Sequence, residues 1–145
     1  MAKFHNIKVA DIYKETEDTS VVAFEIPSEL HEAFKFRQGQ HLTLKADIKG
    51  EDVRRSYSLC SSPIENQWKV AVKQIPGGKF STYINESLKT GDELEVMAPS
   101  GTFGVEVKPE ESKNYLFFAA GSGITPVLSM IKTHLKAEPN STILC

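Results

Sequence analysis

The chain has 145 residues, 40% of them hydrophobic and 25% charged, and its formal net charge is −2. That balance belongs to a folded chain with a real core and excludes a disordered or fibrous one. With no block of Lys or Arg and a slightly acidic total, nucleic acid is not expected as a partner.

The length suits one domain, or one domain with part of a second. The apolar runs are far too short to span a bilayer, so no membrane contact is expected. The opening residues Met1-Ala2-Lys3-Phe4-His5-Asn6 lack the apolar stretch of a signal peptide. Cys60 and Cys145 are the only cysteines. They make no disulfide framework and point to a reducing cytoplasm. Two thiols also fall short of the roughly four thiolates that hold an iron–sulfur cluster, so such a centre has to lie outside this chain. His5, His31, His41 and His134 are far apart without ligand spacing, and they read as surface or satisfied histidines. No metal site is expected.

The first two thirds of the chain read as short strands. Ile7, Val9 and Ile12 follow a period of two with a slip near Asp11. Val22, Phe24 and Ile26 alternate with Ala23 and Glu25 until Pro27 stops the strand. Leu42, Leu44, Ala46 and Ile48 alternate likewise, and Lys49-Gly50-Glu51-Asp52 reads as a turn. Trp68, Val70 and Val72 form another such run, and Leu94 and Val96 a further one. Alternating strands separated by turn signals predict an antiparallel barrel or sandwich, with one wet face per strand. One helix interrupts them. Ser81 is placed to cap it over residues 82–89, Tyr83, Ile84 and Leu88 share its buried face, and Gly91 stops it.

Past the polar stretch Lys108-Pro109-Glu110-Glu111-Ser112-Lys113 the pattern changes. Tyr115-Leu116-Phe117-Phe118-Ala119-Ala120 is a continuous apolar run, as expected for a strand covered on both faces. Gly121-Ser122-Gly123-Ile124 makes a tight turn. Thr125 can cap the next helix, with Pro126 at its first position. Val127, Leu128, Met130, Ile131 and Leu135 give that helix its stripe, and Pro139-Asn140 ends it. Ser141 opens one more apolar strand. Two parallel strands and one helix cannot cover both faces of a sheet, so a larger nucleotide domain, cut short at Cys145, is expected. The division falls into residues 1–108 and 112–145.

Three segments carry candidate chemistry. In Arg54-Arg55-Ser56-Tyr57-Ser58-Leu59 an extended strand puts Arg55 and Tyr57 on one side, Ser56 and Ser58 on the other. A guanidinium beside an aromatic ring suits a ligand with both phosphate and a flat heterocycle. An edge strand with a solvated Arg and a half-covered Tyr would look the same. In Pro76-Gly77-Gly78-Lys79-Phe80-Ser81-Thr82 paired glycines let backbone amides approach an anion at a helix start, with Lys79 adding charge. An ordinary glycine turn before a capped helix is the plainer alternative. Gly121-Ser122-Gly123-Ile124-Thr125-Pro126 follows a strand and opens a helix, the setting of a dinucleotide turn, although Pro126 stands where a third glycine would be. Cys60 reads as a small buried residue, not a nucleophile.

Taken in order, these segments resemble the ferredoxin–NADP reductase superfamily, in its oxygenase-reductase branch. Arg55-Ser56-Tyr57-Ser58 resembles its flavin motif, Gly77-Gly78-Lys79-Phe80-Ser81 its pyrophosphate loop, and the turn at 121–126 its nicotinamide-side turn. Phe36-Arg37-Gln38-Gly39-Gln40 and Pro99-Ser100-Gly101-Thr102-Phe103 are similar to recurrent segments of the family. The resemblance implies a mainly β fold. It consists of an antiparallel six-stranded Greek-key β-barrel with one short helix, followed by the start of an α/β nucleotide-binding domain. It implies FAD on the barrel, NAD(P)H as electron donor, and a ferredoxin or oxygenase component as acceptor. An iron–sulfur cluster is implied only in a further domain. Residue by residue, Arg55 would bind the flavin pyrophosphate, Ser56 belongs to the same motif, and Tyr57 would pack on the isoalloxazine or bond the ribityl chain. Ser58 would lie near the hydride-accepting nitrogen. Val72 and Lys73 would bring backbone groups to the pyrimidine edge. Gly77, Gly78, Lys79, Phe80 and Ser81 would cradle phosphate, and Thr125 would stand where nicotinamide meets flavin. Ser58 and Thr125 are thus the expected catalytic pair. A non-catalytic flavin-binding module is the alternative.

Overall fold

The computed structural model describes residues 3–145. The chain forms β1 (Phe4–Thr16), β2 (Thr19–Glu25), β3 (His41–Ile48), β4 (Glu51–Ser58) and β5 (Trp68–Lys73), then helix α1 (Lys79–Glu86) and β6 (Glu93–Ser100). These six strands make one sheet in the order β4-β3-β6-β1-β2-β5, every neighbouring pair antiparallel. β6 comes last yet lies between β3 and β1, which is the Greek-key crossing expected from the resemblance.

Alternation explains the strands. Ile7, Val9, Leu42, Leu44, Val70 and Val72 are wholly buried, while Lys8, Thr43 and Ala71 between them face outward or are only partly covered. Each such side chain contributes on the order of 1.5–3 kcal/mol on burial. The slip near Asp11 is a register shift between Val9 and Asp11 against β2. An extra residue there restores the inward face after the break. The β3–β4 turn is shorter than the sequence suggests. Only Lys49 and Gly50 lie outside the strands, so Glu51 and Asp52 already pair with Ile48 and Asp47.

The sheet rolls until its two edges meet. Leu59, just past β4, bridges Val70 of β5, and the Cys60 N–H donates to the Lys69 carbonyl at 2.9 Å. Beyond that bridge β4 and β5 part, and α1 fills the gap with Phe80 and Ile84. The seam is therefore stitched at one end and plugged by a helix at the other.

α1 begins earlier than the sequence suggests. Gly78, not Ser81, occupies the cap position, and the first intrahelical bond runs from the Thr82 N–H to the Gly78 carbonyl at 3.1 Å. Ser81 is an interior residue whose hydroxyl closes the preceding loop, a tertiary role that its capping propensity hides.

After β6, residues 101–113 form an irregular connector. It leads to β7 (Asn114–Leu116), helix α2 (Ile124–Ala137) and β8 (Thr142–Leu144), which pairs parallel with β7. Thr125 and Pro126 are the second and third residues of α2, not its cap and first position. Thr125 instead donates its hydroxyl to the Ser122 carbonyl at 3.0 Å. The apolar run at 115–120 is not buried on both faces. Only its first two residues belong to β7, Leu116 is 57% exposed and Phe118 85% exposed. Among the described residues the second sheet has two strands, and nothing lies over that side of it. Val127 and Met130 of the α2 stripe are buried, but Leu128 and Leu135 are exposed. Among the described residues no helix is long and apolar enough to cross a membrane.

Candidate functional site

Arg55 and Tyr57 pair directly with Leu44 and Leu42 of β3, both wholly buried. Directly opposed residues send their side chains to the same face. Arg55 and Tyr57 therefore point to the barrel's inner side, yet Arg55 is exposed and Tyr57 only half-buried. The reason is topological. β4 is an edge, and beside these residues the seam to β5 is open. Side chains that would be core in a closed barrel here stay accessible to solvent.

The two neighbouring arginines have opposite fates. Arg54 faces outward and grips Asp52 in a fork, with bonds of 3.1 and 2.9 Å, over the Phe4 ring. The Arg55 guanidinium bonds the Arg54 carbonyl at 2.6 Å. Among the described residues it has no carboxylate partner. An uncompensated guanidinium beside an aromatic ring is a ready receptor for a phosphorylated ring compound.

The start of α1 faces the same seam. The Phe80 ring lies 6.1 Å from that of Tyr57, centroid to centroid, and Lys79 Nζ reaches Glu51 Oε2 of β4 at 2.5 Å. These two contacts set the first turn of α1 alongside β4. The N–H groups of Lys79, Phe80 and Ser81 precede the first intrahelical bond and have no partner within the helix. The Phe80 side chain is itself core, so only its main chain can serve a ligand. The Lys79–Glu51 pair is exposed and weakly held, so an anion can draw Lys79 away from it.

The glycine pair shapes this end. Gly77 has φ +75°. A Cβ on Gly78 would stand 2.6 Å from Ser81 Oγ and 3.0 Å from the Ile75 carbonyl oxygen, so close packing requires the second glycine. Ser81 Oγ is buried and accepts the Ile75 N–H at 3.1 Å. Ser81→Ala should therefore loosen the loop and cost about 1–3 kcal/mol, the penalty of an orphaned buried amide, read in a thermal melt. A melt matching the unmodified chain would show that the hydroxyl does not hold the loop.

The remaining expected residues are placed less directly. The Ser56 hydroxyl bonds Thr43 on the outer face at 2.9 Å, so only its main chain can face the seam. Ser58 is half-buried and pairs with His41 at the end of β4. Val72 is buried and its carbonyl already accepts the Asn85 amide at 3.0 Å. Lys73 turns outward to Asp18 at 3.4 Å. Thr125 lies one helical turn before Ser129, whose hydroxyl donates to the Ser61 carbonyl at 2.6 Å. That bond ties the helix carrying Thr125 to the chain three residues past Ser58.

Titration follows burial. Burial pushes the Tyr57 phenol up, with Arg55 pulling the other way. Burial also pushes the Cys60 thiol up, against weaker pulls from nearby lysines, and its Sγ–H donates to the Lys69 carbonyl. A raised, covered thiol is a poor nucleophile, as its sequence setting suggests.

Other features lie outside the three motif segments. Gln38 is buried and donates to the Val105 carbonyl at 2.6 Å, and Gln40 donates to that of Gly101 at 3.1 Å. These bonds join the segment at 36–40 to Gly101 and Val105 around a cleft of about 540 Å³. His134 is not a surface or satisfied residue. It is wholly buried, and neither ring nitrogen has a hydrogen-bond partner among the described residues. Glu138 is equally buried, although a lone Glu before Pro139 looks like an ordinary surface residue.

A rolled six-stranded antiparallel sheet in Greek-key order, with a helix set into its seam, has the fold of a flavin-binding oxidoreductase barrel. Residues 6–104 match the family described as the oxidoreductase FAD-binding domain, and the chain belongs to that family. It is 49% identical over 141 residues to one of the subunits of the 1,2-phenylacetyl-CoA epoxidase of Escherichia coli (strain K12), covering 97% of this chain and 40% of that protein. It is 38% identical to the ferredoxin reductase component of 3-ketosteroid-9-alpha-monooxygenase of Rhodococcus rhodochrous, covering 95% of this chain and 39% of that one. Among solved structures, phthalate dioxygenase reductase superposes with a TM-score of 0.75 at 30% identity, over 97% of this chain and 42% of that one. A ferredoxin NADP+ reductase from Neisseria gonorrhoeae shares the fold, with a TM-score of 0.76 at 22% identity, over 99% of this chain and 57% of that one. The chain spans about 40% of the length of these curated relatives.

Proposed function

We propose that this chain is the flavin-binding part of a reductase that takes electrons from NAD(P)H and delivers them through FAD to an iron–sulfur protein or oxygenase component. The observations that carry the reading are Arg55 and Tyr57 on the inner face of an edge strand and the first turn of α1, with amides unpaired within the helix, packed beside Tyr57. The residues fit the cofactor: Arg55 supplies a fork for the pyrophosphate, Tyr57 a covering ring, and residues 77–81 the amides of a phosphate cradle. Ser56 contributes main-chain groups, Val72 and Lys73 edge contacts from β5, and Ser58 a hydroxyl at the end of β4. When bound, FAD supplies an acceptor for a two-electron hydride that can then release single electrons.

Residues 1–108 are assigned to the FAD barrel and residues 112–145 to the first part of a unit for the nicotinamide nucleotide. The turn at 121–125 would receive that nucleotide, and Thr125 would meet it beside the flavin. The electron acceptor is placed outside this chain because Cys60 and Cys145 fall short of the roughly four thiolates of a cluster. Two free cysteines also favour a cytoplasmic setting.

The test is direct. The purified chain should show the absorbance bands of an oxidised flavin, and acid extraction with mass measurement should return FAD. A chain that stays colourless after incubation with excess FAD, or that releases only FMN, would overturn the assignment.

A further inference from the structure

Glu138 and His134 are wholly buried at the end of α2. A buried carboxylate is costly unless donors surround it. Glu138 Oε1 accepts the Lys108 N–H at 2.9 Å and the Tyr115 hydroxyl at 3.0 Å, and Oε2 stands 2.8 Å from the same hydroxyl. Oε2 also accepts the Ser141 hydroxyl at 2.9 Å. His134 Nδ1 lies 3.3 Å from Oε1, and its ring packs 4.7 Å from that of Tyr115. One carboxylate therefore joins the connector, β7, α2 and the approach to β8.

The connector is fastened to the barrel at its other end, through Gln40 to Gly101 and Gln38 to Val105. Between these anchorages, α2 touches the segment after β4 through two hydroxyls and the Lys132–Glu65 ion pair. Ser129 donates to the Ser61 carbonyl at 2.6 Å, and Thr133 bonds Ser62 at 2.8 Å. An apolar side chain at 138 would fill the same space without choosing a direction. A carboxylate with three donors from three segments holds one arrangement.

We propose that Glu138 is a positioning residue. By gripping Lys108, Tyr115 and Ser141 at once, it fixes the connector to the end of α2 and sets where the 121–125 turn stands relative to the barrel seam. The mechanical claim concerns this chain alone; its link to hydride transfer rests on the function proposed above. The facing groups are His134 from α2, Tyr115 from β7, and Lys108 and Glu111 from the connector, with Glu111 paired to Lys108 and Lys113. Burial pushes the Glu138 carboxyl up, but the Lys108 amide, the Tyr115 and Ser141 hydroxyls and His134 outweigh it and hold the carboxyl down at about 2. Its grip is thus complete above the ordinary carboxylate range and is lost as pH falls toward that value.

The test compares the full chain, with excess FAD, against Glu138→Gln and Glu138→Ala. It uses amide hydrogen exchange and residual dipolar couplings. In Glu138→Ala the amides of residues 105–113 should open at least about tenfold more readily, matching the loss of one charge-assisted bond. The α2 couplings should no longer fit the alignment of the barrel. Glu138→Gln should fall between, since its amide oxygen still accepts from Lys108. Connector protection in the unmodified chain should hold from about pH 8 to about pH 5 and decline below about pH 4, whereas Glu138→Gln should show no such decline. Exchange in β1, β3 and β6 and the FAD retained should not change. Protection and couplings equal to the unmodified chain in both variants would overturn the proposal. So would exchange that rises equally in the barrel strands, since Glu138 would then stabilise the whole fold without positioning α2. If Glu138→Ala does not fold, Glu138→Gln decides. Failure to retain FAD in the unmodified chain would instead strike the flavin assignment and leave the comparison of connectors readable.

Discussion

Arg55→Ala is expected to weaken FAD retention about 10- to 100-fold, the loss of a charge-assisted hydrogen bond of about 1.5–3 kcal/mol. The basis is the asymmetry of the arginine pair. Arg54 is held by Asp52 on the outer face, whereas Arg55 stands on the inner face of an edge strand without a carboxylate. Arg54→Ala should therefore leave retention unchanged. Arg55→Lys should be intermediate, because a point charge survives while the planar fork does not. Titration of the apo chain with FAD, followed by quenching of flavin fluorescence, distinguishes the three. Equal affinity in Arg55→Ala and the unmodified chain would remove Arg55 from the site.

The second large effect is structural. Gly39→Ala should lower the melting temperature by about 10 °C or more, from a cost of about 3 kcal/mol or more in a chain of this size. Gly39 has φ +92°, and a Cβ there would lie 1.9 Å from the Phe103 carbonyl oxygen and 2.8 Å from its carbon. Both obstacles are backbone and cannot rotate aside. The affected contact is also the one that seats the connector against the 36–40 loop, so the damage should spread to residues 101–107. Gly77→Ala is the control. Gly77 shares the positive φ at +75°, but a Cβ there meets nothing within 4 Å. It should cost only about 1–2 kcal/mol of backbone strain. Equal melting losses in the two variants would show that crowding at Gly39 is not the cause.

The barrel is legible in the sequence because its signals are local and redundant. Leu42, Leu44, Val70 and Val72 alternate with polar residues, and a period of two has one physical reading in a sheet with one wet face. Even the irregularity at Asp11 shows as a slip in that period. The helix starts are misread for the converse reason. Ser81 and Thr125 have strong capping propensities, but their hydroxyls bond Ile75 and Ser122 from inside the helices. Propensity describes an isolated turn, and packing decides between competing ones. The run at 115–120 has the pattern of a strand covered on both faces, yet composition records how apolar a strand is and not what lies over it.

The sequence alone determined the class of fold and the order of its three motifs, because alternation, glycine pairs and an Arg-x-Tyr strand are properties of neighbours along the chain. Tertiary structure alone decided which arginine keeps a free charge, that Lys79 leans on Glu51, and that Glu138 is buried at the join between connector and helix. Those facts depend on which distant segments the sheet's closure brings together. A charge is defined functionally by its partners, and partners far apart in sequence leave no trace in local pattern.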